Sequence, residues 1–244
     1  MFFKSEYDII RMGDTMYTEK IKAALAVRAE EGYRRFSLSL IKGSSMPVLG
    51  VRLPVLRKLA ADIRASGMGE EFLETCDFSS LEMSLLYAYT LGGIKGEPEK
   101  LVPFLRKAVY QADNWASCDT LCQSFKQCRK WRERFYGEIL SYFESGEAYV
   151  MRAGTVLLLS HYLEDKYIDR VFALLAAYTN SDYYYKMGAA WCVATAAARY
   201  RDKTYKFLCQ NSLDDITHNT AIRKITESRR ISGEDKLIFR KLRR

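Results

Sequence analysis

The chain has 244 residues, of which 48% are hydrophobic and 28% charged, a balance that excludes an intrinsically disordered chain. No apolar run approaches the roughly 20 residues of a membrane-spanning helix, which excludes a helical membrane protein. The net charge is +8, and from Arg223 to Arg244 nine Lys and Arg stand against three acidic residues, which fits either a polyanion partner or a solvated basic tail.

The opening stretch MFFKSEYDIIRMGDTMYTEK is interrupted by charges, so it lacks the apolar core of a signal peptide and a cytoplasmic chain is expected. Residues 1–15 are expected to be peripheral or poorly ordered, and residues 1–244 to form a single domain. In MPVLGVRLPVLRKLAADI the start reads as a turn with two prolines. From Leu53 the pattern becomes helical, with Pro54 in the first turn, where a missing N–H costs little. All four prolines lie at or before Pro103. Because proline breaks helices, the rest of the chain is expected to be continuously helical.

Helix starts near Leu81, Ala116, Tyr149 and Tyr184 recur every 33 to 35 residues or so. Each is followed by a second amphipathic segment: EPEKLVPFLRKAVYQ, KWRERFYGEILSYFE, EDKYIDRVFALLAAYT and DKTYKFLCQ. Two antiparallel helices per repeat predict an all-α fold, an α-solenoid of HEAT-like helix pairs with a concave surface. In YVMRAGTVLLLSHYLED, one apolar face holds Val150, Ala153, Leu157 and Tyr162, widened by Val156, Leu159 and Leu163. In YYYKMGAAWCVATAAARY, alanine recurs at almost every third or fourth place, the mark of tight helix-on-helix packing. The last unit, LDDITHNTAIRKITESRRIS, is expected to be capped by Asp215 or Thr217.

The six cysteines, Cys76, Cys118, Cys122, Cys128, Cys192 and Cys209, read as reduced, buried thiols. Cys118, Cys122 and Cys128 have helical rather than metal-knuckle spacing, and the two histidines, His161 and His218, lie far away in sequence. No metal or cofactor is expected.

The stretch DNWASCDTLCQSF reads as a helix start that places Trp115 and Asp119 four residues apart on one face. First helices of successive repeats line one surface. Asp119 comes three places after Ala116, Arg152 three after Tyr149, and Trp191 seven after Tyr184. Arg223 and Lys224 follow Thr217 by six and seven. A carboxylate, an arginine, a tryptophan and two cations are therefore expected along one basic groove.

The blocks VLGVRLPVLRKLA, DNWASCD, MRAGTVLLLSHYL, YYYKMGAAWCVA and LDDITHNTAIRKITESRRIS resemble, in order, those of the AlkD-like DNA alkylation repair family, the HEAT-like-repeat alkylpurine DNA glycosylases. The resemblance covers roughly residues 30–242. It implies a catalytic carboxylate at Asp119, groove tryptophans at Trp115 and Trp191, and an active-site arginine at Arg152. It also implies an N-terminal groove aromatic, with Tyr33 and Phe36 both open, and a backbone contact at Lys186. Between Trp115 and Asp119 the matching rests on those two end positions and Asn114.

The chemistry implied by the resemblance suits these residue types. A purine alkylated at N3 or N7 is cationic and leaves without protonation, so one carboxylate suffices where ordinary glycoside hydrolysis uses two. Asp119 would stabilise the oxocarbenium-like sugar and position a water. The indole faces of Trp115 and Trp191 would attract the cationic base. Arg152 would hold a nearby phosphate, while Arg223, Lys224, Arg229 and Arg230 would grip the backbone without sequence preference. The implied partner is duplex DNA containing alkylated bases, bound by a monomer. A non-catalytic module recognising distorted or branched DNA, and a protein-binding HEAT scaffold, are the alternatives compatible with the same pattern.

Overall fold

The computed structural model describes residues 14–244, so the peripheral segment expected at the N-terminus falls, for residues 1–13, outside the described residues. Among the described residues there are fourteen α-helices and no strand. The chain divides into two compact units, the first ending at Gln127 and the second beginning at Cys128.

The first unit contains α1 (Asp14–Ala26), α2 (Glu31–Leu40), α3 (Leu53–Ala65), α4 (Gly69–Thr75), α5 (Leu81–Gly93), α6 (Pro98–Tyr110) and α7 (Trp115–Ser124). Its core is α5, which is buried almost all round from Leu81 to Leu91. Helices α3 and α7 pack on either side of it. The α5–α7 approach is so close that a Cβ added at Gly92 would meet the Ser124 carbonyl oxygen at 2.5 Å. Pro54 lies in the first turn of α3, as the pattern predicts. Pro103 does not break α6, although it stands inside that helix. It lies on the exposed side, where water can satisfy the carbonyl that its missing N–H leaves unbonded.

Helix α2 is held differently, since it buries none of its residues. Polar ties fasten it to the 41–52 loop. Glu30 N–H donates to the Gly50 carbonyl at 3.0 Å, Arg34 Nε to that of Val48 at 3.0 Å, and Arg52 pairs with Glu30 at 2.8 Å. The loop is in turn anchored to α5. The buried Glu82 carboxylate accepts the backbone N–H groups of Leu49 (2.9 Å), Gly50 (2.7 Å) and Val51 (3.2 Å). Gly50 has φ +95, and a Cβ there would strike the Glu30 carbonyl oxygen at 2.5 Å, so only glycine fits.

The second unit contains α8 (Arg132–Glu144), α9 (Ala148–His161), α10 (Ile168–Ala177), α11 (Tyr183–Ala197), α12 (Arg201–Gln210), α13 (Asp215–Glu227) and α14 (Gly233–Arg240). Helices α9, α11 and α13 form a packed row. The buried alanines 189, 190, 194, 196 and 197 of α11 permit the short approach. Helix α9 is buried from Val150 through Leu158.

Successive repeats are linked at a nearly constant sequence separation. Tyr167 Oη donates to Glu133, 34 residues away. Lys203 pairs with Asp169 and Arg201 with Asp235, each also 34 residues apart. The starts of α5, α7, α9, α11 and α13 are 32 to 35 residues apart, in agreement with the sequence period. Within each unit the helices pair and stack in the manner of an α-solenoid.

Three details correct the sequence reading. The cap of α13 is Asp214, whose carboxylate accepts the N–H groups of Ile216 and Thr217, rather than Asp215 or Thr217. Cys209 is exposed, because it lies on the solvent side of polar α12, while the other five cysteines are buried. The basic end includes a further helix, α14, started by Ser232, whose hydroxyl oxygen accepts the Asp235 N–H and donates to the Asp235 carboxylate.

His218 secures the end that follows α14. Its Nε2 faces the Leu242 carbonyl at 2.8 Å, so Nε2 carries the proton and Nδ1 accepts from Asn211 Nδ2 at 3.1 Å. Burial holds the His218 pKa below its ordinary value, and Arg244 adds to this, against opposing effects of Leu242 and Asp215. The unfolded chain therefore takes up the proton more readily. This stabilisation is complete above about pH 6.5 and is lost as the pH falls towards the folded-state pKa. Unfolding midpoints between pH 7.5 and 5.5 should fall in the native protein and fall less in His218→Gln.

Candidate functional site

In the first unit, Asn114 starts α7, its side chain accepting the Ser117 N–H at 2.9 Å. Cys118, Leu121 and Cys122, spaced one turn apart, form the buried stripe of the helix. Trp115 and Asp119 lie on the shoulder of that stripe rather than opposite it. The consequence differs for the two residues: Trp115 is partly exposed, whereas Asp119 is 7% exposed. The periodic reading predicts an open carboxylate, and the structure places it in a mostly buried position.

The Trp115 indole also ties α7 to α2. Its Nε1 donates to the Leu40 carbonyl at the end of α2, at 3.0 Å. The same helix carries both candidate aromatics. Phe36 is 56% exposed, and Tyr33 is partly exposed. Their ring centroids are 6.0 Å apart, and the Arg52 guanidinium lies 5.3 Å from the centre of the Tyr33 ring. Trp115 and the α2 aromatics are thus joined within one unit.

Asp113, which the sequence reading passed over, reinforces this arrangement. Its carboxylate accepts from Ser44 Oγ (2.8 Å), Ser45 N (2.9 Å) and Asn114 Nδ2 (2.9 Å). Burial alone would raise its pKa, but the bonds from Asn114, Ser44 and Ser45 outweigh this and hold it below the usual carboxylate range. An Asp immediately before an Asn N-cap was the available signal.

In the second unit, Arg152 lies in the buried stretch of helix α9 and is 6% exposed. It crosses to α11, where its Nη1 donates to the Tyr184 carbonyl at 2.6 Å. Tyr184 also stacks on Tyr149 of α9, with ring centroids 5.2 Å apart and planes at 29°. Trp191 is partly exposed on α11. Lys186, one turn earlier, pairs with Asp214 at 3.1 Å, so it braces the cap of α13. Burial would raise the Asp214 pKa, but bonds from Thr217 and Lys186 bring it below the ordinary range. Arg223 on α13 is exposed and Lys224 partly so, while Arg229 and Arg230 are exposed just beyond the helix.

Three of the buried thiols are held away from the reactive thiolate form. Burial pushes Cys76 up to about 11, and Cys128 and Cys192 to about 12. Among the described residues, no group of three or more His, Cys, Asp or Glu could hold a metal ion. Nor is any helix long and apolar enough to cross a membrane.

A family model described as DNA alkylation repair enzyme matches residues 21–225. No curated protein matches the sequence.

Proposed function

The chain belongs to the DNA alkylation repair enzyme family, and we propose that it is a DNA glycosylase that hydrolyses the N-glycosidic bond of N3- or N7-alkylated purines in duplex DNA. The observation that carries this reading is the extent of the family match. Residues 21–225 include α7, α9 and α11, and hence Trp115, Asp119, Arg152 and Trp191. The partial exposure of both indoles supports it further.

In this reading the protein is a monomeric HEAT-like solenoid whose concave basic groove receives the sugar–phosphate backbone. The cationic base leaves without a general acid. Asp119 steadies the positive charge growing on the deoxyribose and directs a water to it. The electron-rich faces of Trp115 and Trp191 favour a charged lesion over a neutral base, by about 0.5–2 kcal/mol each. Arg152 contacts a phosphate beside the lesion. Tyr33 or Phe36 meets the duplex from α2, and Lys186, Arg223, Lys224, Arg229 and Arg230 contribute to backbone binding. The reaction belongs to base excision repair by a cytoplasmic protein, nucleoid-associated when bound to DNA, and uses no metal or cofactor.

The burial of Asp119 and Arg152 favours one alternative: a non-catalytic protein that recognises distorted or branched DNA, in which these two residues serve the fold. A protein-binding scaffold is the third reading, and it predicts negligible affinity for DNA. Methylated duplex DNA, incubated with the protein and assayed for free base, separates the three. Base release supports the glycosylase, salt-sensitive binding without release supports the recognition protein, and absence of binding leaves the scaffold.

A further inference from the structure

Gly188 stands in the middle of α11, where glycine costs about 1 kcal/mol relative to alanine. Its φ is not in the positive range, so the backbone does not require it. Space does. A Cβ at this position would lie 2.7 Å from Thr155 Oγ1, 3.3 Å from Arg152 Cγ and 3.6 Å from Arg152 Nη1. The Arg152 stem therefore runs over the bare backbone of Gly188 and ends on the Tyr184 carbonyl, which in α-helical register is the acceptor one turn earlier. The Tyr149–Tyr184 ring stack joins the same two helices one turn towards their N-termini and restricts sliding of α9 along α11.

We infer that Gly188 and the Tyr184 carbonyl form a cradle that fixes the direction of the Arg152 guanidinium, so that Gly188 is a positioning residue for the contact between Arg152 and a DNA phosphate. This rests on the DNA-binding reading above. Arg152 is only 6% exposed, so the direction of its guanidinium governs what it can present to a phosphate. A methyl group at position 188 would press on the Arg152 stem at Cγ, 3.3 Å away, and a displaced stem carries the guanidinium with it.

The test is the salt dependence of duplex binding, measured beside the unfolding midpoint for the native protein, Arg152→Gln, Gly188→Ala, Thr155→Ala and the double variant Gly188→Ala/Thr155→Ala. Each lost phosphate contact reduces the slope of log K against log salt concentration by about 0.9. Arg152→Gln and Gly188→Ala are expected to lose about that much, and Thr155→Ala none. The double variant removes the 2.7 Å contact, so its unfolding midpoint recovers while its slope stays reduced. Native slopes in Gly188→Ala and the double variant, beside a reduced slope in Arg152→Gln, would overturn the cradle and leave the DNA reading intact. Recovery of slope and midpoint together in the double variant would also overturn it, by showing that Gly188 serves packing alone. A native slope in Arg152→Gln removes the phosphate contact and the cradle with it, and failure of the native protein to bind DNA removes the DNA reading itself.

Discussion

Asp119→Asn is expected to lower release of alkylated purine from duplex DNA by about 10²–10³-fold, the loss seen when one fixed group facing developing charge is removed. The substitution keeps the size and shape of the side chain, which matters at a position only 7% exposed. On the proposed mechanism it removes the negative charge opposite the cationic sugar. In a largely dehydrated site that charge acts through a low effective dielectric, so its removal is felt more than at an open surface. Duplex affinity should stay within a few-fold, because no phosphate contact is lost. Trp115→Ala and Trp191→Ala should each cost less, about 2- to 30-fold, the equivalent of 0.5–2 kcal/mol. This ranking, carboxylate above either indole, is specific to electrostatic stabilisation of the sugar. Base release from Asp119→Asn at the native rate, with an unchanged unfolding midpoint, would exclude the carboxylate from the chemistry.

The largest loss of stability is expected from Glu82→Ala. Glu82 is 2% exposed and accepts three backbone N–H groups of the loop between α2 and α3. Alanine leaves those donors without their acceptor, at about 1–3 kcal/mol for each that water cannot reach. A total of about 3 kcal/mol or more corresponds to a fall of roughly 6–12 °C in midpoint for a chain of this size. The loop also carries the attachments of α2, through Val48, Gly50 and Arg52. The variant should therefore detach the helix bearing Tyr33 and Phe36 and weaken duplex binding as well. A thermal scan and a binding isotherm on the same preparation test both effects. A midpoint within 2 °C or so of the native value would show that the loop finds other acceptors.

Helix positions were legible in the sequence because their causes are local. The helical pattern and its repeat placed the starts of α5, α7, α9 and α11 within one residue of those observed, and three of the four are held by a capping side chain, Ser80, Asn114 or Asp182. Depth was less legible. Periodicity assigns a residue to a face, but it does not say how much neighbouring structure rises around that face. Asp119 therefore looks open in sequence yet lies on the shoulder of a buried stripe, and Arg152 sits in the stretch of α9 that is buried from Val150 through Leu158. Helix α14 was hidden behind the charge count, although its Ser232–Asp235 capping pair was present. Gly188 carried a signal too, since an isolated glycine in an alanine-rich helix marks a close approach. The division at Gln127 has no such local cue.

The links between successive repeats described above reach only to the next repeat, as between Glu133 and Tyr167 or Arg201 and Asp235. Helix α14 has a neighbour of this kind on one side only. Opening in the second unit should therefore begin there and travel inward one helix pair at a time, rather than all at once. Amide hydrogens would then exchange with deuterium in a graded series, fastest in α14, slower in α13 and slowest on α11, which is flanked in the row by both α9 and α13.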